Sequence, residues 1–390
     1  ANLAQARETV TAAGGPLYPQ VSLDAGAGRE KYGAQFSGPE TFPVFTYYSV
    51  GPSVSYLVDY TGGQRRAVEQ QQALADEQGY RLQAAYLSLT GNVAQQAVAI
   101  AAARAQIDAV QALLEDDRKN LQLVQSAFEA GSVSRLDLLT AQSQLASDQT
   151  LLPPLRQQLS VARHALAVLV GHAPADWQAP EFELAQLELP PVLPTSLPSE
   201  LAHRRPDILA AEARLHAATA GVGVAVSNLY PKINLTATAG QQSTSLGHLF
   251  DESATAWGLA AGLSAPLFDG GTLRAQRRGA EDAREAALAD YEQTVLQSFG
   301  QVADALAALD HDAEQLAAQR NALDTSTANL DLTRQSYTAG NVGVLQVIDA
   351  QRLDQQARLG YVRAQAQRYQ DTAQLFLALG GNVPVEVAGR

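Results

Sequence analysis

The chain has 390 residues, of which 46% are hydrophobic and 6% aromatic; that is enough apolar content for a packed core and excludes a disordered chain. Acids outnumber bases by 40 to 27, giving a formal net charge of −13, the wrong sign for a surface that grips phosphate, so nucleic acid is excluded as a partner. With no cysteine there is no disulfide, thiolate metal site or thiol nucleophile.

Residues 1–16 open in helical pattern and without Met, so they read as the end of a helix whose start, with any secretory signal, lies upstream. A strand region follows over 17–62. Val21, Leu23, Ala25 and Ala27 alternate with Ser22, Asp24, Gly26 and Gly28, and the return run sets Val50, Val54, Tyr56 and Val58 against Ser49, Gly51, Ser53 and Ser55. Alternation with period 2, apolar on one side and small or polar on the other, is the pattern of a transmembrane β-strand. Its polar residues, Ser22, Asp24, Ser53 and Ser55, would face a water-filled lumen. A soluble, half-buried hairpin writes the same alternation and stays open as an alternative.

From 63 to 171 the pattern changes to a long helical hairpin. Tyr86, Val93, Ile100, Ile107, Leu114, Leu121 and Phe128 recur every seven residues, which predicts long supercoiled helices. Gly131 reads as the residue that ends the outgoing helix, and 133–170 as one returning helix. Nowhere is there a run of about 18 apolar residues, so no transmembrane helix is expected.

Residues 172–200 form a link that includes the Pro-rich LELPPVLPTSLP, which cannot be helical. A helix over 201–228 opens the second half, starting at Pro206 with Asp207 in its first turn. Then the chain repeats itself. LYPQVSLDAGAG at Leu17–Gly28 returns as LYPKINLTATAG at Leu229–Gly240, with Pro19 and Pro231 separated by 212 positions. The second hairpin region, 229–271, sets Ile233, Leu235, Ala237 and Ala239 against Asn234, Thr236, Thr238 and Gly240, so Asn234, Thr236 and Thr238 join the lumen set. A second helical hairpin over 272–380 repeats the heptads at Val295, Val302, Leu309, Leu316, Leu323, Leu330 and Tyr337, with Gly340 as its turn and 342–379 returning; 381–390 is a tail. The chain is therefore a tandem of two homologous halves, each a β-hairpin on a helical hairpin. Tyr32, Phe42, Phe45, Tyr47, Tyr48, Phe250 and Trp257 cluster near the hairpin loops, as an interfacial belt would. Four strands cannot close a barrel in lipid without leaving unpaired edges, so several copies must share one.

No catalytic constellation is found. GVGVAV at Gly221–Val226 lacks the third glycine of a dinucleotide loop and precedes a strand; the six histidines have no metal-ligand spacing; and Arg204 to Asp207, RRPD, reads as structural. No enzyme activity, metal or cofactor is expected.

The stretch SELAHRRPDILAAEARLHAATAGVGVAVSNLYPKINLTATAG, with LFDGGTLR, YTAGNVGVLQVIDAQR and LFLALGGN, resembles the outer-membrane efflux protein family, the TolC-like or NodT-type channels of tripartite pumps. The resemblance implies a mainly α protein with a transmembrane β-barrel: a homotrimer whose twelve strands form one barrel continuous with a periplasmic α-helical barrel. It implies a passive duct in the outer membrane of a Gram-negative bacterium. Solutes would be handed over by an inner-membrane transporter of the resistance-nodulation-division type through a periplasmic adaptor. Type I protein secretion and a soluble coiled-coil scaffold are the alternatives. By the same resemblance Asp349, with Gln346 and the first-half counterpart Asp137, would constrict the periplasmic end. Gly131, Ser132, Val133, Gly340, Asn341 and Val342 would be the helical tips that meet the adaptor or transporter.

Overall fold

The computed structural model describes residues 1–31, 43–189 and 204–381. Tyr32 and Phe42 of the aromatic cluster, residues 190–203 of the link and the following helix start, and residues 382–390 of the tail lie outside the described residues. The chain divides into two compact units, 1–82 with 206–294 and 83–205 with 295–390.

The first unit holds α1 (Asn2–Gly14), β1 (Gln20–Glu30), β2 (Phe45–Val58), the start of α2 (Gly63–Glu129), α5 (Pro206–Ser227), β3 (Lys232–Ser243), β4 (Thr255–Ser264) and the start of α6 (Thr272–Thr338). The two expected hairpins are joined, through pairs such as Val54↔Ala237, into one antiparallel sheet of order β1-β2-β3-β4. Register follows the alternation: Val21 stands opposite Val54 and Ile233 opposite Leu263, so the apolar residues of the four strands share one face along most of their length, with Leu57 opposite Asn234 and Val50 opposite Gln241 as departures. Among the described residues none covers the apolar face at its outer strands, where Val21, Leu23, Leu259 and Leu263 are 71–75% exposed. At the β2–β3 seam a Cβ on Gly51 would fall 2.2 Å from the carbonyl oxygen of Ala239, and one on Gly240 would fall 2.5 Å from that of Val50. Only glycine permits this approach. Pro52, which has no N–H to give, sits beside it, within the interruption of β2–β3 pairing between Val50↔Gln241 and Ser53↔Thr238.

Strand-to-helix turns are held by aspartates. Asp59 accepts from the backbone N–H groups of Gln64 and Arg65, and Asp269 from those of Gly271 and Leu273. These bonds satisfy donors that a helix start leaves open.

The second unit contains the helical hairpins. The outgoing α2 packs on α3 (Arg135–Gln149) and α4 (Leu152–Leu169), and α6 on α7 (Val344–Ala378). The expected single return helix over 133–170 is thus two helices. Pro153 and Pro154 lack the N–H groups that would continue the ladder, so the backbone turns at Thr150 and Leu151, whose N–H groups bond back to Ser147 and Asp148. The heptads do bury: Ile100, Ile107 and Leu114 meet Ala162, Leu166 and Leu155, and Val302 and Leu309 meet Leu375, Ala378 and Leu379. Toward the ends of α2 they fail, since Tyr86 and Phe128 are exposed. One 18-residue window of α2 reaches a mean hydropathy of 1.4, but half of it is buried in the protein, as expected of a core helix.

Part of the link is packed as well. Leu184 enters the cluster of Val98, Ala101 and Ala366, and the Tyr369 hydroxyl donates to the Leu187 carbonyl. Arg205 of the RRPD segment is buried; its Nη1 donates to the Ala378 carbonyl at 2.9 Å and its Nη2 to Gln301 at 2.8 Å, which ties the end of α7 to the middle of α6. Its role is structural, as expected.

Candidate functional site

Both helical tips are built alike because the same short sequence writes them. Gly131 (φ +73°) and Gly340 (φ +75°) take the left-handed conformation, and the N–H groups of Ser132 and Asn341 reach five residues back to Ala127 and Ser336, each at 2.9 Å. This is the Schellman termination, in which a C′ glycine carries no Cβ penalty. Behind the turns, Val124, Ala141 and Val344 are buried with Val133, Leu138, Tyr337 and Ile348 packed around them, so both hairpins contribute to one apolar cluster. Gly131, Ser132, Gly340 and Asn341 remain exposed, while Val133 and Val342 are half-buried.

The three candidate gate residues have different local partners. Asp137 closes a capping box: its carboxylate accepts from the Ser134 N–H at 2.9 Å and hydroxyl at 2.7 Å, while the Ser134 oxygen accepts from the Asp137 N–H. Those bonds hold its pKa below the ordinary value. Asp349 is exposed, three residues from Arg352, whose guanidinium donates to it at 2.9 Å. Gln346 lies three residues before Asp349 on the same side of α7 and is also exposed.

On the polar face of the sheet, Ser22, Asp24 and Ser53 form a network. The two hydroxyls are 2.7 Å apart, and each donates to Asp24 Oδ2, at 3.1 and 2.6 Å. The strand register extends this row, with Ser53 opposite Thr238, Ser55 opposite Thr236 and Asn234 opposite Leu57. The face offers a carboxylate, hydroxyls and an amide to water, and among the described residues no group of metal ligands.

Sequence reasoning missed the buried carboxyl pairs of the helical hairpins. Asp117 and Asp148 are both buried side by side; burial, then the hydrogen bond and charge of Asp148, then the charge of Asp116, push the Asp117 carboxyl up to about 7. Asp312 is pushed up to about 6 by burial and then by its bond to and the charge of Asp371. Asp354, buried on α7, accepts from Thr327 at 2.6 Å and Arg358 at 3.3 Å. The signal was present: Asp117 follows Leu114 by three, and Asp312 follows Leu309 by three, so both occupy the inner d-type position of a heptad whose a-type position is leucine.

A family model described as outer membrane efflux protein matches residues 1–172 and 197–381. The pyoverdine export outer membrane protein OpmQ of Pseudomonas putida is 32% identical over 386 residues, covering 98% of this chain and 82% of OpmQ. The toluene efflux pump outer membrane protein TtgF, also of Pseudomonas putida, is 32% identical over 369 residues, 94% of this chain and 76% of TtgF. Among solved structures, the open state of the Neisseria gonorrhoeae MtrE outer membrane channel superposes with a TM-score of 0.87 at 27% identity, covering 97% of this chain and 84% of MtrE.

Proposed function

The chain belongs to the outer membrane efflux protein family and is an outer-membrane component of an efflux system; from that premise we propose that three copies form a passive duct gated at the helical tips. The carrying observation is the sheet: four strands, an exposed apolar face, and two edges, β1 and β4, whose outward hydrogen-bonding groups have no strand to pair with among the described residues. In hydrocarbon every such group must be satisfied, so strands of other copies complete the ring, with twelve strands in a trimer. The polar row from Ser22 to Thr238 then lines water. Solutes arrive from an inner-membrane transporter of the resistance-nodulation-division type through a periplasmic adaptor that docks at the tips, Gly131–Val133 and Gly340–Val342. Small molecules of the kind named for the relatives, pyoverdine or toluene, are the cargo class.

At the tips, three Asp349 carboxylates would form an acidic constriction, with Gln346 beside them and Asp137 holding the neighbouring turn. The test is planar-bilayer conductance of the purified trimer beside Asp349→Ala. A small, cation-preferring conductance that rises severalfold in the variant supports the gate. An unchanged conductance moves the constriction away from Asp349, and a protein that stays monomeric and soluble without detergent overturns the duct.

A further inference from the structure

The internal duplication provides a template for the seam between copies. Within the chain, the last strand of the first hairpin pairs with the first strand of the second, as Val58↔Ile233, Leu57↔Asn234, Tyr56↔Leu235 and Ser55↔Thr236. Between copies the same junction recurs with the halves exchanged: β4 ends a second hairpin and the neighbour's β1 begins a first one. The two hairpin registers give the correspondence. Val21 and Ile233 are equivalent by the sequence repeat, and they pair with Val54 and Leu263, so β2 maps on β4 with Val54 at Leu263 and Val58 at Leu267.

We infer that β4 continues past Ser264 on the neighbouring protomer, with Leu267 opposite that protomer's Val21, Pro266 opposite Ser22, Ala265 opposite Leu23 and Ser264 opposite Asp24. This deepens the trimeric reading above and rests on it. Residues 265–267 belong to no strand in the single chain, whereas their counterparts Tyr56, Leu57 and Val58 are paired. Leu267 is 99% exposed and Val21 71%, although Val58 and Ile233, in the equivalent internal seam, are both half-buried. The transferred register also keeps the faces in phase: Leu263, Ala265, Leu267, Val21 and Leu23 fall on the apolar side, and Ser264, Pro266, Ser22 and Asp24 on the polar side. A register displaced by one residue would have put Leu267 against the hydroxyl of Ser22.

Pro266 is the residue that could have broken such a ladder, and the other proline shows why it does not. Pro52 leaves β1–β2 pairing whole, with Leu23↔Pro52 in register, and interrupts β2–β3, so its missing N–H points toward β3. Val54, Tyr56 and Val58, at even steps from it, point their N–H groups the same way. Their equivalents Leu263, Ala265 and Leu267 therefore turn theirs toward the neighbour's β1, and Pro266 turns its donorless side inward. There the β3–β4 register, carried two steps beyond Lys232↔Ser264, reaches Tyr230, which precedes β3. No donor is lost at the seam. The docking partner of the exposed Leu267 is a second copy of this chain, and at the polar rim Ser264 comes beside Asp24, which already gathers Ser22 and Ser53.

The absence of cysteine from these 390 residues keeps the background of a cross-linking test low. The pairs Leu267→Cys with Val21→Cys, and Ser264→Cys with Asp24→Cys, are expressed in the full-length protein in outer membranes and oxidised with copper phenanthroline. Leu267→Cys with Leu23→Cys and Ser264→Cys with Ser22→Cys serve as slipped pairs, and Val58→Cys with Ile233→Cys as the internal control. Directly opposed residues lie within disulfide reach and diagonal ones lie at about 7–8 Å. Covalent dimers and trimers are expected from at least one of the two opposed pairs about tenfold faster than from its slipped pair, while the control closes within one chain. Faster linkage of the slipped pairs overturns the register and leaves the trimer standing. If the control closes and no pair links copies, light scattering of the detergent-solubilised protein decides what fails: a trimer mass overturns this seam, and a monomer mass overturns the trimeric reading itself. Should the Leu267 variants be absent from the membrane, the Ser264 pairs, which leave the apolar face intact, carry the test with the same outcomes.

Discussion

At the tip of the first helical hairpin one serine and one aspartate do what backbone alone cannot. Ser134 and Asp137 satisfy each other's N–H groups, and the bonds from Ser134 are what depress the Asp137 carboxyl. A depressed carboxyl stabilises the fold above its ordinary value of 3.8, and the contribution is lost as pH falls through the lower folded value. Tip protection from amide exchange is therefore expected to hold from neutral pH to about 4 and to weaken only below that. Ser134→Ala should weaken it at every pH, by about 1 kcal/mol of local stability; equal protection in the variant would show that the cap is dispensable. The second tip has no such side-chain cap, because Gly343 stands where Ser134 does in the first, and Asp349 is left to Arg352. The glycines at 131 and 340 were legible in the sequence because a helix followed by Gly and then a new polar turn has one common meaning. The Asp137 cap was equally legible, as S-x-x-D ahead of an apolar run.

The long helices were read from their seven-residue repeat, and the buried Ile100, Ile107, Leu114, Val302 and Leu309 bear that out. What the repeat concealed is that its second register, three residues on, is partly acidic. Asp117 faces Asp148 at the end of α3, just before the prolines that split the return helix. The folded value near 7 lies above the ordinary 3.8, so between these two pH values the folded chain keeps a proton that the unfolded chain releases, and stability falls as pH rises across the window. Asp117→Asn removes the ionisable group from this position and keeps its shape. Thermal unfolding of the variant is expected a few degrees above the parent at pH 8 and level with it at pH 3, below the window. An equal gain at pH 3, where the carboxyl is protonated in both states, would show that ionisation of Asp117 is not what limits stability. The split itself could have been predicted from Pro153 and Pro154, whose missing N–H groups forbid one helix from 133 to 170. Pairing of β2 with β3 could not be read from periodicity, because Val54 and Ala237 stand 183 positions apart and alternation says which face a residue takes without saying which strand lies beside it.

For the molecule as a whole, the proposed duct makes the two faces of the sheet unequal in a way that a soluble scaffold would not. Leu259 stands mid-strand on the uncovered apolar face, and Thr238 mid-strand on the polar one. If lipid covers the first face and water the second, an arginine at Leu259 costs about 2–4 kcal/mol per protomer near the bilayer midplane, whereas an arginine at Thr238 remains solvated. In the proposed trimer three copies share one barrel, so the cost at Leu259 would be incurred three times in each assembly. Leu259→Arg is thus expected to deplete the proposed trimer from outer membranes. Thr238→Arg should leave its level unchanged and lower the cation preference of the conductance, because three positive charges enter a lumen otherwise marked by Asp24. The reverse pattern, with Thr238→Arg lost and Leu259→Arg retained, would exchange the faces. Equal tolerance of both would favour hairpins covered by protein, the scaffold reading, in which neither face meets hydrocarbon.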